Sequence, residues 1–170
     1  MYDPPADLEW QILVADCAAL PALARILEGT PPEVRNRLVV EVPDAAHQVD
    51  LPTHPRADVT WVHGGNGRSP SRIEEVVRSL RRPDGLGYVW VAGETTTLRR
   101  VRRHLRHELR LPASLYKAVG YWTERAEEWN AKWLALDPDT RAGPESLWES
   151  DRDEDEIEDE YDARLTALGL

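Results

Sequence analysis

Four acidic residues stand at the ends of short apolar runs. Asp16 follows Leu13-Val14-Ala15, Glu41 and Asp44 flank the end of Leu38-Val39-Val40, and Glu94 follows Val89-Trp90-Val91-Ala92-Gly93. An apolar run with β-branched and aromatic residues that stops at an acid or a glycine is how a buried parallel strand ends. A carboxylate there has two uses. It can cap the next helix by accepting its first N–H groups, or it can accept hydrogen bonds from a ligand's hydroxyls or amide. Spacing leaves both uses open for Asp16 and Glu94. Burial of either acid without partners would be costly.

Other groups narrow the chemistry. The turn after Asp16 has no Gly-x-Gly-x-x-Gly fingerprint, and the chain has no Gly-Lys-Ser phosphate loop. What remains is geometry. Backbone N–H groups at the helix starts after Asp16, in Ala18-Ala19-Leu20-Pro21, and after Glu94 could bind a pyrophosphate, or simply begin well-packed helices. Glu41 and Asp44 hold the place where an acid bonds ribose hydroxyls and repels a 2′-phosphate. That leans toward NADH, with Arg68, Arg72 and Arg99 as cations able to reach the same edge. Thr95 and Thr96 read as helix caps. Gly120-Tyr121-Trp122 reads as one wall of a cofactor cleft, or as core or a domain interface. Cys17 is the single cysteine and has no histidine spaced to activate it, so it reads as core filler. His104 and His107 are three apart but lack a third ligand, so no metal site is expected. The run Arg99-Arg100-Val101-Arg102-Arg103 resembles a nucleic-acid patch locally and is more simply a solvated helix face.

The elements that hold these residues follow from the pattern. The 170-residue chain is 41% hydrophobic, enough for one domain with a buried core. Strands are expected at residues 10–15, 37–42, 58–63, 86–92 and 115–119. Helices are expected from Pro21 with Ala22, Leu23, Ile26 and Leu27, from Ser71 with Ile73, Val76, Val77 and Leu80, and over residues 96–109 with Leu98, Val101 and Leu105. The last of these carries Arg99, Arg103, Arg106 and Arg110 on its other face. A further helix, capped by Thr123, carries Trp129 and Trp133 as core. Alternating strands and helices predict a Rossmann-like α/β fold with a five-stranded parallel sheet, order 3-2-1-4-5, and loops converging beside Gly93 and Glu94 with room for a dinucleotide.

Residues 1–9 read as a lead-in or linker remnant, 10–136 as the sheet domain, and 137–170 as an acidic helical extension. Residues 1–148 carry 19 basic and 21 acidic residues, a net of −2, whereas 149–162 carry ten acids and Arg152, a net of −9. Ile157, Tyr161, Leu165 and Leu168 form a helical stripe in this tail, so it is expected to pack on its own domain or on a partner. The nearly neutral body argues against nucleic acid as ligand. No apolar run is long enough to span a bilayer and the start, with Asp3, Asp7 and Glu9, is not a secretory signal, so a cytoplasmic location is expected.

The chain resembles the C-terminal domain of siderophore-interacting proteins, the flavin-dependent ferric-siderophore reductases. The resemblance rests on Leu13-Val14-Ala15-Asp16 with Ala19-Leu20-Pro21-Ala22, on Val40-Glu41-Val42-Pro43-Asp44, on Tyr88-Val89-Trp90-Val91-Ala92-Gly93-Glu94, and on Val119-Gly120-Tyr121-Trp122. It implies a ferredoxin-reductase-like domain that binds NAD(P)H and passes hydride to a flavin, whose electrons then reduce the iron of a ferric siderophore. It places Asp16, Ala19, Leu20 and Pro21 along the pyrophosphate and nicotinamide. Gly93 and Glu94 would lie beside the nicotinamide, Thr95 would be a further cofactor-binding residue, and Gly120, Tyr121 and Trp122 would face the flavin side. Hydride chemistry belongs to the cofactors, so no catalytic side chain is assigned. Nine residues before the first strand are too few for a flavin barrel, so FAD is expected only from a separate domain or chain. The family tends to follow Gly-Tyr-Trp with a basic residue, where this chain has Thr123 and Glu124. Lys117 and Arg125 are the nearby positive candidates for a siderophore. The competing class is a non-enzymatic binding or protein-interaction module that keeps the fold.

Overall fold

The five apolar runs form five parallel strands, and in the three central ones β-branched and aromatic residues bury on both sheet faces. In the computed structural model, which describes residues 2–152 and 154–170 and all their side chains except those of Glu154 and Asp155, the strands are β1 (Trp10–Asp16), β2 (Arg35–Val42), β3 (Ala57–His63), β4 (Gly87–Glu94) and β5 (Tyr116–Trp122). Their order is β3-β2-β1-β4-β5, every neighbouring pair parallel. The fold class and strand order inferred from sequence are therefore those observed. β1 and β4 are buried along their whole length. The strand order reverses between them.

Alternation along the strands sorts the core into two layers. Ile12, Val14, Val89 and Val91 face α2 (Ile73–Ser79) and α3 (Thr95–Arg103). Leu13, Ala15, Trp90 and Ala92 face α1 (Leu20–Gly29), with Leu23 and Leu27. Pro21 sits in the first turn of α1, where its missing N–H is harmless. Gln11, 1% exposed in β1, is satisfied by Thr30 Oγ1 (2.8 Å), Asn36 Oδ1 (2.6 Å) and the Tyr2 hydroxyl (2.5 Å). Tyr2 also packs edge-on against Tyr88, which ties the lead-in to the sheet.

Two expected boundaries move, each for a local reason. β5 does not stop at Val119. Gly120 pairs with Gly93, and Trp122 rather than Tyr121 pairs with Glu94, so Tyr121 is the extra residue of a bulge and Gly120-Tyr121-Trp122 lies inside the strand. α3 ends at Arg103 and widens into a π-helical turn, His104–Glu108, in which the Leu109 N–H reaches back to His104 O. The arginine run is not one solvated face either: Arg102 is 8% exposed and donates to Ala118 O, while Arg100 pairs with Glu74 (2.6 Å).

The chain divides into two compact units, residues 2–124 and 125–170. The second holds α4 (Ala126–Ala135), α5 (Pro138–Glu145), a 3-10 turn (Ser146–Glu149) and α6 (Glu154–Ala167). α4, placed with the sheet domain from sequence, falls in this unit. No residue of α4 is buried. Trp129 and Trp133, expected in the core, stack on each other instead, centroids 5.8 Å apart and planes 9° apart, because four-residue spacing puts both indoles on one narrow stripe. Thr123 does not cap α4; its N-cap is Arg125, in the left-handed region at φ 53°. Along α6, Ile157 and Leu165 are buried, Tyr161 meets Trp148 edge-on, and Arg164 pairs with Glu160.

Leu13, fully buried in β1, tests the layer against α1. Leu13→Ala is expected to cost about 3 kcal/mol, read as a lower urea midpoint by circular dichroism with an unchanged slope.

Candidate functional site

Open α/β sheets take ligands beyond the carboxyl ends of their strands, where the order reverses. Here that edge joins the ends of β1, β2, β4 and β5 and the loop of residues 64–72. Asp16, 1% exposed, lies at its centre. Its Oδ1 accepts the N–H groups of Ala18 (2.9 Å) and Ala19 (3.2 Å), and its Oδ2 accepts the Trp122 indole N–H (2.7 Å). A Cβ on Gly93 would lie 2.7 Å from Oδ2, so the carboxylate needs glycine at that place on β4.

The other acids are engaged in the same way. Glu94 is the N-cap of α3 and accepts the N–H groups of Thr96 (2.9 Å) and Thr97 (2.7 Å), and that of Glu124 (3.3 Å) from beyond β5. Glu41, 2% exposed, accepts the Ser71 hydroxyl (2.8 Å) and the Arg72 N–H. A Cβ on Gly65, whose φ is +61°, would collide with that carboxylate. Asp44 is exposed, caps a 3-10 turn at Ala46 N–H, and pairs with His47 (2.7 Å) and Arg68 (3.5 Å).

Several sequence expectations are corrected by this. The helix-start amides are not free for a pyrophosphate. Asp16 takes those of Ala18 and Ala19, Cys17 O takes that of Leu20, Pro21 has none, and Glu94 takes those of Thr96 and Thr97. Thr95 and Thr96 do not cap α3 through their hydroxyls; Glu94 does. Thr95 Oγ1 instead donates to Trp122 O (2.9 Å) and accepts from Thr123 Oγ1 (3.3 Å), and it fills the place a Cβ on Gly120 would need. Glu41 is bonded within the protein, to the Ser71 hydroxyl and the Arg72 N–H. The loops do converge, but the room beside Gly93 is taken by Asp16 and Ile73, with the Trp122 indole bonded to Asp16 Oδ2.

Asp16, Gly93, Glu94, Thr95, Gly120 and Trp122 are thus brought together, with Ala19 and Leu20 behind Asp16 and Pro21 opening α1. Tyr121 points away and is 46% exposed. Lys117 is the second residue of β5, five positions and so about 16 Å along the strand from Trp122. Arg125 begins the second unit and faces Glu128 (3.8 Å). Sequence reading missed Asn66, whose Oδ1 accepts the Cys17 N–H (3.0 Å) and whose Nδ2 donates to Glu41 O (3.1 Å). The signal was there: an asparagine among glycines favours the left-handed region, and Asn66 has φ 57°. Cavities of about 350 and 230 Å³ lie at the opposite edge, around Trp10 and the strand starts.

Electrostatics separates the acids. Burial pushes the Asp16 carboxyl above its ordinary range, against the Trp122, Ala19 and Ala18 hydrogen bonds. Burial also pushes Glu41 up, opposed by Arg72 and Ser71 and assisted by the charge of Asp16. Burial raises Glu94 too, but its backbone donors win and hold it below the ordinary value. Burial, then the charges of Asp16 and Glu41, push the Cys17 thiol up, which removes thiolate character.

Strand order, right-handed strand–helix alternation and a carboxyl-edge site at the reversal define a Rossmann-like domain. The chain belongs to the siderophore-interacting protein family, whose profile matches residues 8–125. It is 30% identical over 155 residues to the protein Rv2895c of Mycobacterium tuberculosis, covering 84% of this chain and 54% of that one. It is 27% identical over 126 residues to the ferric vibriobactin reductase ViuB of Vibrio cholerae, covering 73% and 46%. The crystal structure of a siderophore utilization protein from T. fusca superposes with a TM-score of 0.64 at 31% identity, over 73% of this chain and 48% of that one. The chain spans about half the length of these relatives. Among the described residues, no helix is long and apolar enough to cross a membrane.

The place beside Gly93 that the Trp122 indole fills has the shape of one end of a nicotinamide nucleotide. It already holds a planar heteroaromatic ring whose N–H points at a buried carboxylate. It does not fit a pyrophosphate on the helix starts.

The shifts give opposite pH signatures. The folded pKa of Glu94 is lowered, so its contribution is full above the ordinary value of 4.5 and is lost as pH falls through the folded value. Glu94→Gln is expected to lower stability at pH 7 by about 1 kcal/mol, with the gap in Tm closing in acid. Asp16 and Glu41 are raised, so their contribution is full in acid and lost as pH rises through their folded values.

Proposed function

We propose that the chain is the nicotinamide-nucleotide domain of a ferric-siderophore reductase. Family membership supports this reading, and the Asp16–Trp122 pair at the sheet reversal is the observation that carries it. Bound NAD(P)H would supply a hydride for a flavin held by another domain or chain, and the ferric siderophore would be the substrate reduced in turn. The chain's own share is placement. Asp16 and Glu94 hold the β1, β4 and β5 ends in register, and Gly93 leaves room at the end of β4 for the Asp16 carboxylate. Glu94 and Thr95 tie β5 to the start of α3, so the wall made by Trp122 moves with the sheet. The phosphates would meet cationic side chains, not helix amides. Arg68, 62% exposed and ion-paired at 3.5 Å with Asp44 beyond the end of β2, is the cation at the corner where a 2′-phosphate would be read.

Isothermal calorimetry of the whole chain with NADPH and with NADH tests this directly. Saturable binding of at least one is expected. Arg68→Ala is expected to weaken NADPH by up to about fivefold and NADH less. A flat titration with both, on a sample folded by circular dichroism, would contradict the reading and favour a binding module that keeps only the fold.

A further inference from the structure

Asp16 draws one of its donors from two strands away. β4 lies between β1 and β5, so the bond from Trp122 Nε1 to Asp16 Oδ2 crosses the carboxyl end of β4. It crosses where Gly93 leaves space, because that same oxygen is the atom a Cβ would strike. The far corner of the indole, Cη2, comes within 4.0 Å of a Cβ built on Gly67, in the loop after β3. The ring therefore lies along the edge from β5 past β1, over the reversal of strand order. Two features make it exchangeable. The Trp122 carbonyl is anchored separately by Thr95 Oγ1, so the side chain can rotate without pulling on the strand. Trp122 is only partly buried, whereas Asp16 is 1% exposed. A buried carboxylate that loses one donor needs another.

We propose that Trp122 stands in for the ligand: its indole N–H occupies Asp16 Oδ2, the acceptor that the carboxamide N–H of a nicotinamide ring takes when the indole turns away. This rests on the reading of the chain as a nicotinamide-nucleotide domain and adds the residue that recognises the carboxamide and the residue that competes for it. The exchange replaces one N–H donor by another on the same oxygen, so Asp16 keeps its count of hydrogen bonds throughout. A ring carrying a carboxylate in place of the carboxamide offers no donor and sets charge against charge. Discrimination between amide and acid follows from that single oxygen, because a site built to accept an N–H penalises a ligand that lacks it. Ligand binding also has to displace the indole, which lowers affinity by the fraction of molecules in which it has turned away.

The test is a titration of the whole chain, wild type, Trp122→Phe and Asp16→Asn, with NADP⁺ and with its nicotinic-acid analogue, reading heat and indole fluorescence. Wild type is expected to prefer NADP⁺ by at least about tenfold. Trp122→Phe, which keeps an aromatic ring and removes the competing N–H, is expected to bind NADP⁺ more tightly, by roughly three- to tenfold. Asp16→Asn is expected to bring the two ligands within roughly threefold of each other. Equal affinity of wild type for amide and acid would overturn the inference and leave the domain reading standing. So would unchanged or weaker binding of NADP⁺ to Trp122→Phe. No binding of NADP⁺, NADPH or NADH to any folded variant would overturn both. If Asp16→Asn does not fold, the two ligands on wild type and Trp122→Phe decide the matter.

Discussion

The Asp16 carboxylate is shut away from water at the end of β1 and accepts hydrogen bonds there from the backbone that follows it and from an indole on β5. A buried charge is tolerated only when it is hydrogen-bonded. Here the donors come from elements on either side of β4, so the carboxylate binds three strand ends into one edge. That requirement propagates outward. Gly93 must be small to admit it, and the bulge at Tyr121 sets Trp122 opposite Glu94. Thr95 then holds the Trp122 backbone.

The same solution is repeated along the edge with different partners. Glu94 caps α3 and reaches the chain beyond β5, and Glu41 gathers the loop of residues 64–72 beneath it. Acids at helix starts suit the positive end of the helix. Their cost is that the N–H groups a dinucleotide fold offers to phosphate are already used. An edge so arranged is suited to a ring with an amide donor and leaves phosphates to arginines.

Much of the fold was legible because its signals are local. Val-rich runs ending in acids or glycines marked all five strands, and Pro21 and Gly29 bracketed α1. The acids themselves were legible as strand-end residues, but their partners were not. That Trp122 reaches Asp16 depends on a contact 106 positions apart and on a one-residue bulge, neither of which leaves a periodic trace. The role of Asn66 was hidden for a similar reason, since a glycine-rich turn announces its backbone but not what its side chain bridges. Trp129 and Trp133 misled because four-residue spacing is shared by core stripes and by indoles that stack on one another.

The most direct measurement of the central interaction is the indole N–H spectrum of the ¹⁵N-labelled protein, with the Trp122 resonance assigned by Trp122→Phe. A hydrogen bond to a buried carboxylate predicts a downfield Trp122 resonance that exchanges slowly with solvent and moves upfield in Asp16→Asn. A Trp122 resonance at the position of a solvent-exposed indole, exchanging freely and indifferent to the change at Asp16, would contradict the account.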